Sequence, residues 1–302
     1  MRAFPRGKTA FALVLLLLLI LGVLLAREYR VVERLWFNWQ VFRQGAETQA
    51  LGLGDYRVVV EAQTIDGLKD DVSALSYDPD RKTLFTVTNK HSELIELSLD
   101  GRILRRIALI GFGDPEAVEY VSQGRYVISD ESGQRLIEVH VDDATERLEA
   151  DGARQFTLGF DIGGNSGFEG LAYDTRGQRL FVAKERRPMQ ILEVRGFPDT
   201  RDDTPNTLEV ITNRKRDEEL FVRDLSSLQF DERSGHLLAL SDASRQILEL
   251  NTEGWPVDNV SLSKGSMGLK RNIPQAEGIA MGDDGTLYLV SEPNLFYVFR
   301  KP

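Results

Sequence analysis

The sequence predicts an all-β protein, a β-propeller with five blades favoured and six possible, carried behind one N-terminal transmembrane helix. Three observations lead there. Residues 10–26 form an unbroken apolar run of 17. From residue 73 onward, five related segments start at intervals of 43, 53, 57 and 51 residues, and repeats of that length indicate sheets arranged radially. The chain also has no cysteine and only three histidines, His91, His140 and His236, far apart along it. That removes disulfide frameworks, thiolate zinc sites, Cys nucleophiles and Cys-ligated iron, and leaves no His-based metal spacing.

The apolar run is at the short end of a spanning helix and longer than the usual core of a signal peptide. Arg2, Arg6 and Lys8 precede it, so the positive-inside rule places the short tail in the cytoplasm and the body on the far side, although Arg27 and Arg30 weaken the contrast. The alternative, a cleaved signal peptide, lacks a small-x-small site before Arg27. Residues 28–44 mix Val31, Val32, Leu35, Trp36, Trp39, Val41 and Phe42 with Arg30, Arg34 and Arg43. They read as a juxtamembrane helix with aromatics at headgroup level, or equally as a helix packed on the body. The implied division is 1–27, cytoplasmic tail and transmembrane helix; 28–54, juxtamembrane helix or stalk; 55–302, propeller.

Charge narrows the partners. The chain holds 37 Lys and Arg against 47 Asp and Glu, a net −10, but the first 45 residues carry seven basic and two acidic side chains, so the excess of acid lies in the body. An acidic body repels phosphate backbones, which makes nucleic acid a poor partner and leaves cations and basic ligands. Hydrophobic content of 42% is enough for a full core.

In each repeat the first strand begins Ser73-Ala-Leu-Ser-Tyr-Asp78, Glu116-Ala-Val-Glu-Tyr120, Glu169-Gly-Leu-Ala-Tyr-Asp174, Ser226-Ser-Leu-Gln-Phe-Asp231 or Glu277-Gly-Ile-Ala-Met281. Second strands are expected over 83–88, 125–129, 179–183, 236–241 and 286–291, and third strands over 93–97, 135–139, 190–194, 246–250 and 295–299, all alternating and rich in Leu, Val, Ile and Tyr. Fourth strands fit 103–109, 154–158, 208–212 and 259–262. The fifth unit ends without one, and residues 56–62 can supply it, pairing the two ends of the domain and removing the last open edge. A sixth, degenerate unit would have to lie in 196–224, where the spacing is longest.

In a propeller the start of the innermost strand and the loop after the second strand share a face. Ser73, Glu116, Glu169, Ser226 and Glu277 therefore ring one mouth of the central channel together with Asn89, Asp130, Glu185, Asp242 and Glu292, and seven of these ten positions are carboxylates. For the loop series, turn chemistry is the competing explanation, because Ser129-Asp130, Ser241-Asp242 and Ser291-Glu292 are types that bond their own backbone. For the strand series that explanation is weaker: a charge at the narrow inner end of a strand needs a partner, and carboxylates converging on one axis raise each other's pKa unless a cation neutralises them. Oxygen ligands without Cys or His suit Ca2+ or Mg2+, and a wide mouth lined by Glu suits Ca2+ better. Lys90, Lys184, Arg186 and Arg187 at the same rim could instead form structural salt bridges with the carboxylates.

Other motifs carry less. Asp161-Ile-Gly-Gly-Asn-Ser-Gly167 lacks phosphate-loop spacing and context, Ser166 is in no nucleophile elbow, and no Ser/His/Asp triad is supported. His91 reads as a surface or packing residue, and Arg214-Lys-Arg-Asp-Glu-Glu219 as a solvated loop.

The signatures Phe168-Glu-Gly-Leu-Ala-Tyr-Asp174 and Ala276-Glu-Gly-Ile-Ala-Met281, with Asp71-Val-Ser-Ala-Leu-Ser-Tyr-Asp78 and Asp114-Pro-Glu-Ala-Val-Glu-Tyr120, resemble the SdiA-regulated (YjiK-like) proteins over about residues 56–301. The resemblance implies an N-terminal membrane segment and a propeller in the periplasm, held at the inner membrane of a Gram-negative bacterium. The Glu-Gly-Leu-Ala pattern is also similar to that of esterase-like phytase propellers, which implies calcium and phosphoester chemistry at a carboxylate-rich face. Three functions follow as expectations. The first is a propeller that binds a small molecule or protein at the rim with Ca2+, the second a calcium-dependent phosphoesterase, and the third a scaffold using its outer edges.

Overall fold

The computed structural model describes residues 6–28, 31–44, 50–69, 72–159, 167–186, 188–198 and 207–302. Two helices, α1 (Arg6–Glu28) and α2 (Val31–Gln44), precede strand β1 (Arg57–Thr64). Blade one contains β2 (Val72–Asp78), β3 (Thr83–Thr88), β4 (Glu93–Leu97) and β5 (Ile103–Ile110). Blade two follows with β6 (Pro115–Ser122), β7 (Arg125–Asp130) and β8 (Arg135–His140); β9 (Arg147–Glu149) then crosses to blade one before β10 (Gln155–Thr157) completes blade two. Blade three is β11 (Phe168–Asp174), β12 (Arg179–Lys184), β13 (Gln190–Arg195) and β14 (Glu209–Thr212). After helix α3 (Arg214–Glu219), blade four is β15 (Ser227–Asp231), β16 (His236–Ser241), β17 (Gln246–Leu250) and β18 (Pro256–Ser261). Blade five is β19 (Ala276–Met281), β20 (Leu287–Ser291) and β21 (Leu295–Arg300), and β1 is its fourth strand.

Five sheets, antiparallel except where β9 joins β5, thus form a five-bladed propeller. The ring closes as the sequence predicts, with β1 antiparallel to β21 from Arg57 opposite Arg300 to Thr64 opposite Leu295. No sixth unit occurs among the described residues; the long interval before blade four contains β14 and α3.

The second and third strands of each blade form here because they are largely buried on both faces. β3, for example, reads Thr-Leu-Phe-Thr-Val-Thr and every residue is buried. Aspartates at the ends of the inner strands then turn the chain: Asp78 accepts the N–H groups of Asp80 and Arg81, Asp174 that of Gly177, and Asp231 that of Ser234. These are the side-chain-to-backbone bonds that favour Asp in tight turns. The apolar core lies between blades, as where Phe85 of blade one packs on Tyr126 of blade two with ring centroids 4.7 Å apart.

Two features differ from expectation. β9 pairs in parallel with β5, Ala108 opposite Arg147, and covers the outer edge of blade one. The charged run 214–219 is a helix rather than a solvated loop. Arg216 is buried and donates to the Ile191 carbonyl, while Asp217 accepts the Ile191 N–H at 3.2 Å, so the pair ties the helix to β13. Of the two arrangements expected for α2, packing on the body is observed: Phe37 and Gln40 are buried, and Asn259 of β18 donates to the Asn38 side chain at 3.1 Å.

The side chains from 11 to 25 that are large and apolar are exposed on all sides of α1. Among the described residues no helix is long and apolar enough to cross a membrane. The apolar run 10–26 has 17 residues, which at ~1.5 Å each is about 26 Å against a hydrocarbon core of about 30 Å. Arg2, Arg187 and residues 161–166 of the glycine-rich stretch lie outside the described residues.

Candidate metal centre

The site is built by one backbone device used three times. The register between inner and second strands slips by one residue between Pro115 and Ala117, between Phe168 and Gly170, and between Ala276 and Gly278. The residues left unpaired are Glu116, Glu169 and Glu277. A β-bulge re-aims a side chain that regular pleating would place elsewhere, and here it does so at equivalent points in blades two, three and five. In two of these the next residue is glycine for a steric reason. A Cβ on Gly170 would lie 2.9 Å from the backbone of Ser227 and Leu228, and one on Gly278 would lie 2.4 Å from the Ala74 carbonyl carbon. The Glu-Gly signature therefore combines a bulged carboxylate with the space that lets the neighbouring inner strand approach.

The same register decides which loop residues face these glutamates. Val72 pairs with Thr88, Pro115 with Asp130, Phe168 with Lys184 and Ala276 with Ser291. The next residue in each case is Asn89, Glu131, Glu185 and Glu292, and Asp242 follows Ser241 in the same way. Glu131, not Asp130, thus completes the series. Asp130 is fully buried, paired with Arg135, and takes the N–H groups of Gly113 and Asp114 at 3.2 and 3.0 Å. Although its burial acts to raise the pKa, the hydrogen bonds from Arg135, Asp114, Ser132 and Gly113 win and hold it below the ordinary carboxylate value. It supports the loop and is withdrawn from the rim. Lys184 occupies the equivalent position in blade three and is likewise buried.

The rim carboxylates behave in the opposite way. Burial pushes Glu116 up to about 7, against hydrogen bonds from Asn89, whose Nδ2 donates at 3.1 Å, and from Ser73. Burial also raises Glu277, to about 9, reinforced by Asp242, Glu292, Asp224 and Glu116. Glu169 is pushed well above the ordinary value by burial and then by Glu116, Glu185, Glu131 and Glu277. Glu131 and Glu185 are raised as well, first by burial. The three bulged glutamates are therefore mutual electrostatic neighbours around one axis, although they come from strands more than 40 residues apart in sequence.

The remaining rim residues support this group. Ser226 Oγ accepts the Asp242 N–H at 3.1 Å, and Asp242 in turn accepts the Ala276 N–H at 3.1 Å, linking blades four and five. Arg186 bridges Glu185 at 2.7 Å and Asp224 at 3.4 Å, so the salt-bridge alternative is met at that corner. Lys90 and His91 are exposed beside Asn89.

Sequence reasoning missed three members of the rim. Asp114 and Asp224 each stand two residues before the strand position of Glu116 and Ser226, a recurrence visible in the sequence once the repeats are aligned. Glu131 was hidden because Ser129-Asp130 mimics Ser241-Asp242, and only the paired register separates them. Asp114, Glu116 and Glu131 each bring an oxygen to within 4.8 Å of the others. Three carboxylates at that spacing, with an amide alongside and no sulfur or imidazole, fit a hard divalent cation.

A family model for the SdiA-regulated proteins matches residues 48–300. The chain belongs to the SdiA-regulated family. Among solved structures, a gluconolactonase from Xanthomonas campestris is similar at 11% identity, covering 83% of this chain and 91% of that one with a TM-score of 0.53. A luciferin-regenerating enzyme is similar at 13% identity, covering 80% and 95% with a TM-score of 0.51. At such identities the likeness concerns the fold.

Proposed function

We propose that the channel mouth binds a divalent cation, Ca2+ in preference to Mg2+, and that the cation recruits a small-molecule or protein ligand to a propeller tethered at the bacterial inner membrane and facing the periplasm. The observation that carries the cation is the convergence of Glu116, Glu169 and Glu277 with Glu131 and Asp114, whose mutual repulsion a divalent ion relieves. Several flexible carboxylates favour the larger ion, because Mg2+ demands a tighter octahedron and keeps its waters. The tether rests on α1, apolar on all sides, whose 23 residues include a basic leading end. A run of 17 apolar residues is short, and bilayer thinning or snorkelling of flanking cations accommodates a mismatch of a few ångströms. Calorimetric titration of the purified protein tests the site: Ca2+ should release heat and raise the melting temperature, chelator should reverse both, and Glu169→Gln should weaken binding.

A second reading, a metal-dependent hydrolase, is favoured by one feature: the rim sets several buried carboxylates, Glu116 and Glu169 among them, beside a group able to hold a cation, so that one could act on a proton while others hold the ion, on a fold shared with a gluconolactonase and a luciferin-regenerating enzyme. A bound ion would polarise a carbonyl or phosphoryl oxygen there. A panel of lactones and phosphoesters decides it: hydrolysis that needs Ca2+ and disappears in Glu116→Gln supports catalysis, and none at any metal concentration removes it.

A further inference from the structure

The outward side of α2 has no role in the cation site. Phe37 and Gln40 face the propeller and are buried, whereas Val32, Leu35, Trp39 and Phe42 are exposed by 57, 62, 48 and 85%. These four recur at spacings of three and four, so they lie along one stripe of the helix. The stripe continues onto the body, because Trp36 lies between Trp39 and Phe221, with ring centroids 5.5 and 5.4 Å away, and Phe221 itself is 46% exposed. At the far end Arg43 is stacked over Trp39, 4.6 Å from the ring centroid.

We propose that this stripe, with Phe221, is a bilayer-contact surface: α2 lies in the headgroup region and holds the outer edge of blade four against the membrane. The inference rests on α1 being the anchor. Three features select lipid as the occupant. Only two residues separate α2 from α1, which presents apolar side chains on every side, so the stripe cannot leave the neighbourhood of whatever solvates α1. Tryptophan with a stacked arginine is the pairing that suits an interface, where the ring sits among headgroups and the cation meets lipid phosphate. Finally, an acidic body is repelled by anionic lipid, so contact at this edge has to come from apolar insertion, and the apolar stripe supplies it. A fixed helix packed on β18 would make the whole propeller tilt with the bilayer instead of swinging on a stalk.

The test uses the full chain in lipid vesicles containing brominated acyl chains. Trp36→Phe with Trp255→Phe leaves Trp39 as the sole tryptophan, and its emission should be quenched at least twofold relative to unbrominated vesicles, with little change at high salt. Because the chain has no cysteine, Phe42→Cys carrying an environment-sensitive dye gives a second readout without disturbing the core, and its emission should shift to the blue on reconstitution. Unquenched Trp39 and an unshifted dye, in a chain that stays in the membrane through alkaline extraction, overturn the surface while leaving the anchor intact. Recovery of the chain in the aqueous phase overturns both. Efficient disulfide cross-linking of Leu35→Cys between copies would assign the stripe to a second chain and likewise overturn the proposal.

Discussion

Glu119 in blade two and Gln229 in blade four occupy the same position in their inner strands, and each takes a backbone N–H from the next blade: Glu119 that of Tyr173 at 3.0 Å, Gln229 that of Met281 at 2.9 Å. Glu119 also accepts from Ser76 Oγ of blade one at 2.9 Å, so it ties three blades together on the side of the channel away from the rim. Burial pushes its pKa up to about 8 despite these bonds. The fold already solves the same problem with a neutral amide two blades further on.

Glu119→Gln is therefore expected to be tolerated. At pH 9, where the native carboxyl must ionise in a buried place, the variant should unfold at higher denaturant than the parent. Glu119→Ala leaves the Tyr173 N–H without its acceptor and opens a cavity, which costs about 2–4 kcal/mol. Urea unfolding of the two variants at pH 6 and pH 9 checks this, and equal loss in both variants would show that an amide cannot replace the carboxyl here.

The metal-free protein should lose stability as pH rises. Glu116, Glu119 and Glu277, at about 7, 8 and 9, bind their protons more tightly folded than unfolded, where the ordinary value is 4.5. Folding takes up protons across that window, so stability is greatest below about pH 4.5 as far as these groups decide it and declines through pH 9. Asp130 and Asp231, which are depressed, act only below their ordinary value of 3.8 and do not oppose the trend. With chelator present, the melting temperature should fall between pH 5 and pH 9. Ca2+ should flatten the fall, and its affinity should rise with pH as it displaces protons. A melting temperature that climbs with pH in chelator contradicts the proposed electrostatics.

Gly278→Ala should damage both ring and rim. The added methyl carbon meets Ala74 backbone at 2.4 Å, where no side chain can swing aside, and overpacking of this kind costs about 1–3 kcal/mol. Since Gly278 follows the bulged Glu277, the same change should weaken Ca2+ binding. Gly54→Ala is the contrasting case, because nothing lies within 4 Å of the Cβ it would add. Thermal melts with and without Ca2+ separate loss of packing from loss of the site.

Most of the architecture was legible in the sequence because the repeated inner strands are self-similar and the strands between them are apolar runs bounded by turn residues; β3, β4, β16 and β17 fall on the expected bounds. What escaped depended on pairings that no local pattern encodes. β9 is three residues long and finds its partner in another blade. Arg216 sits in a run of charges whose composition says solvent, yet its guanidinium is buried against Asp217. The rim was legible as a region but displaced by one residue in blade two, because Asp130 satisfies the same turn pattern as its neighbours while the strand register assigns the outward position to Glu131.

That displacement gives the sharpest contrast between two adjacent residues. Asp130 is fully buried, and removing its carboxylate in Asp130→Ala takes the ion-pair partner from Arg135, which among the described residues keeps only Gln155 and the Gly111 carbonyl, and frees the N–H groups of Gly113 and Asp114. Breaking such a buried, multiply bonded pair costs about 3–5 kcal/mol. Glu131 is raised by burial and by Asp114, and relieved chiefly by the Gly167 N–H. Glu131→Gln keeps an acceptor for that N–H and takes one negative charge from a crowded rim, so its stability in chelator should equal or exceed that of the parent. Its Ca2+ affinity should drop at least tenfold, which corresponds to about 1.4 kcal/mol or more. Chemical denaturation and calcium titration on both variants would thus show opposite signatures: Asp130→Ala fragile, Glu131→Gln stable but weak in calcium binding. Unchanged calcium affinity in Glu131→Gln would mean that the ion, if bound, takes its oxygens from elsewhere on the rim.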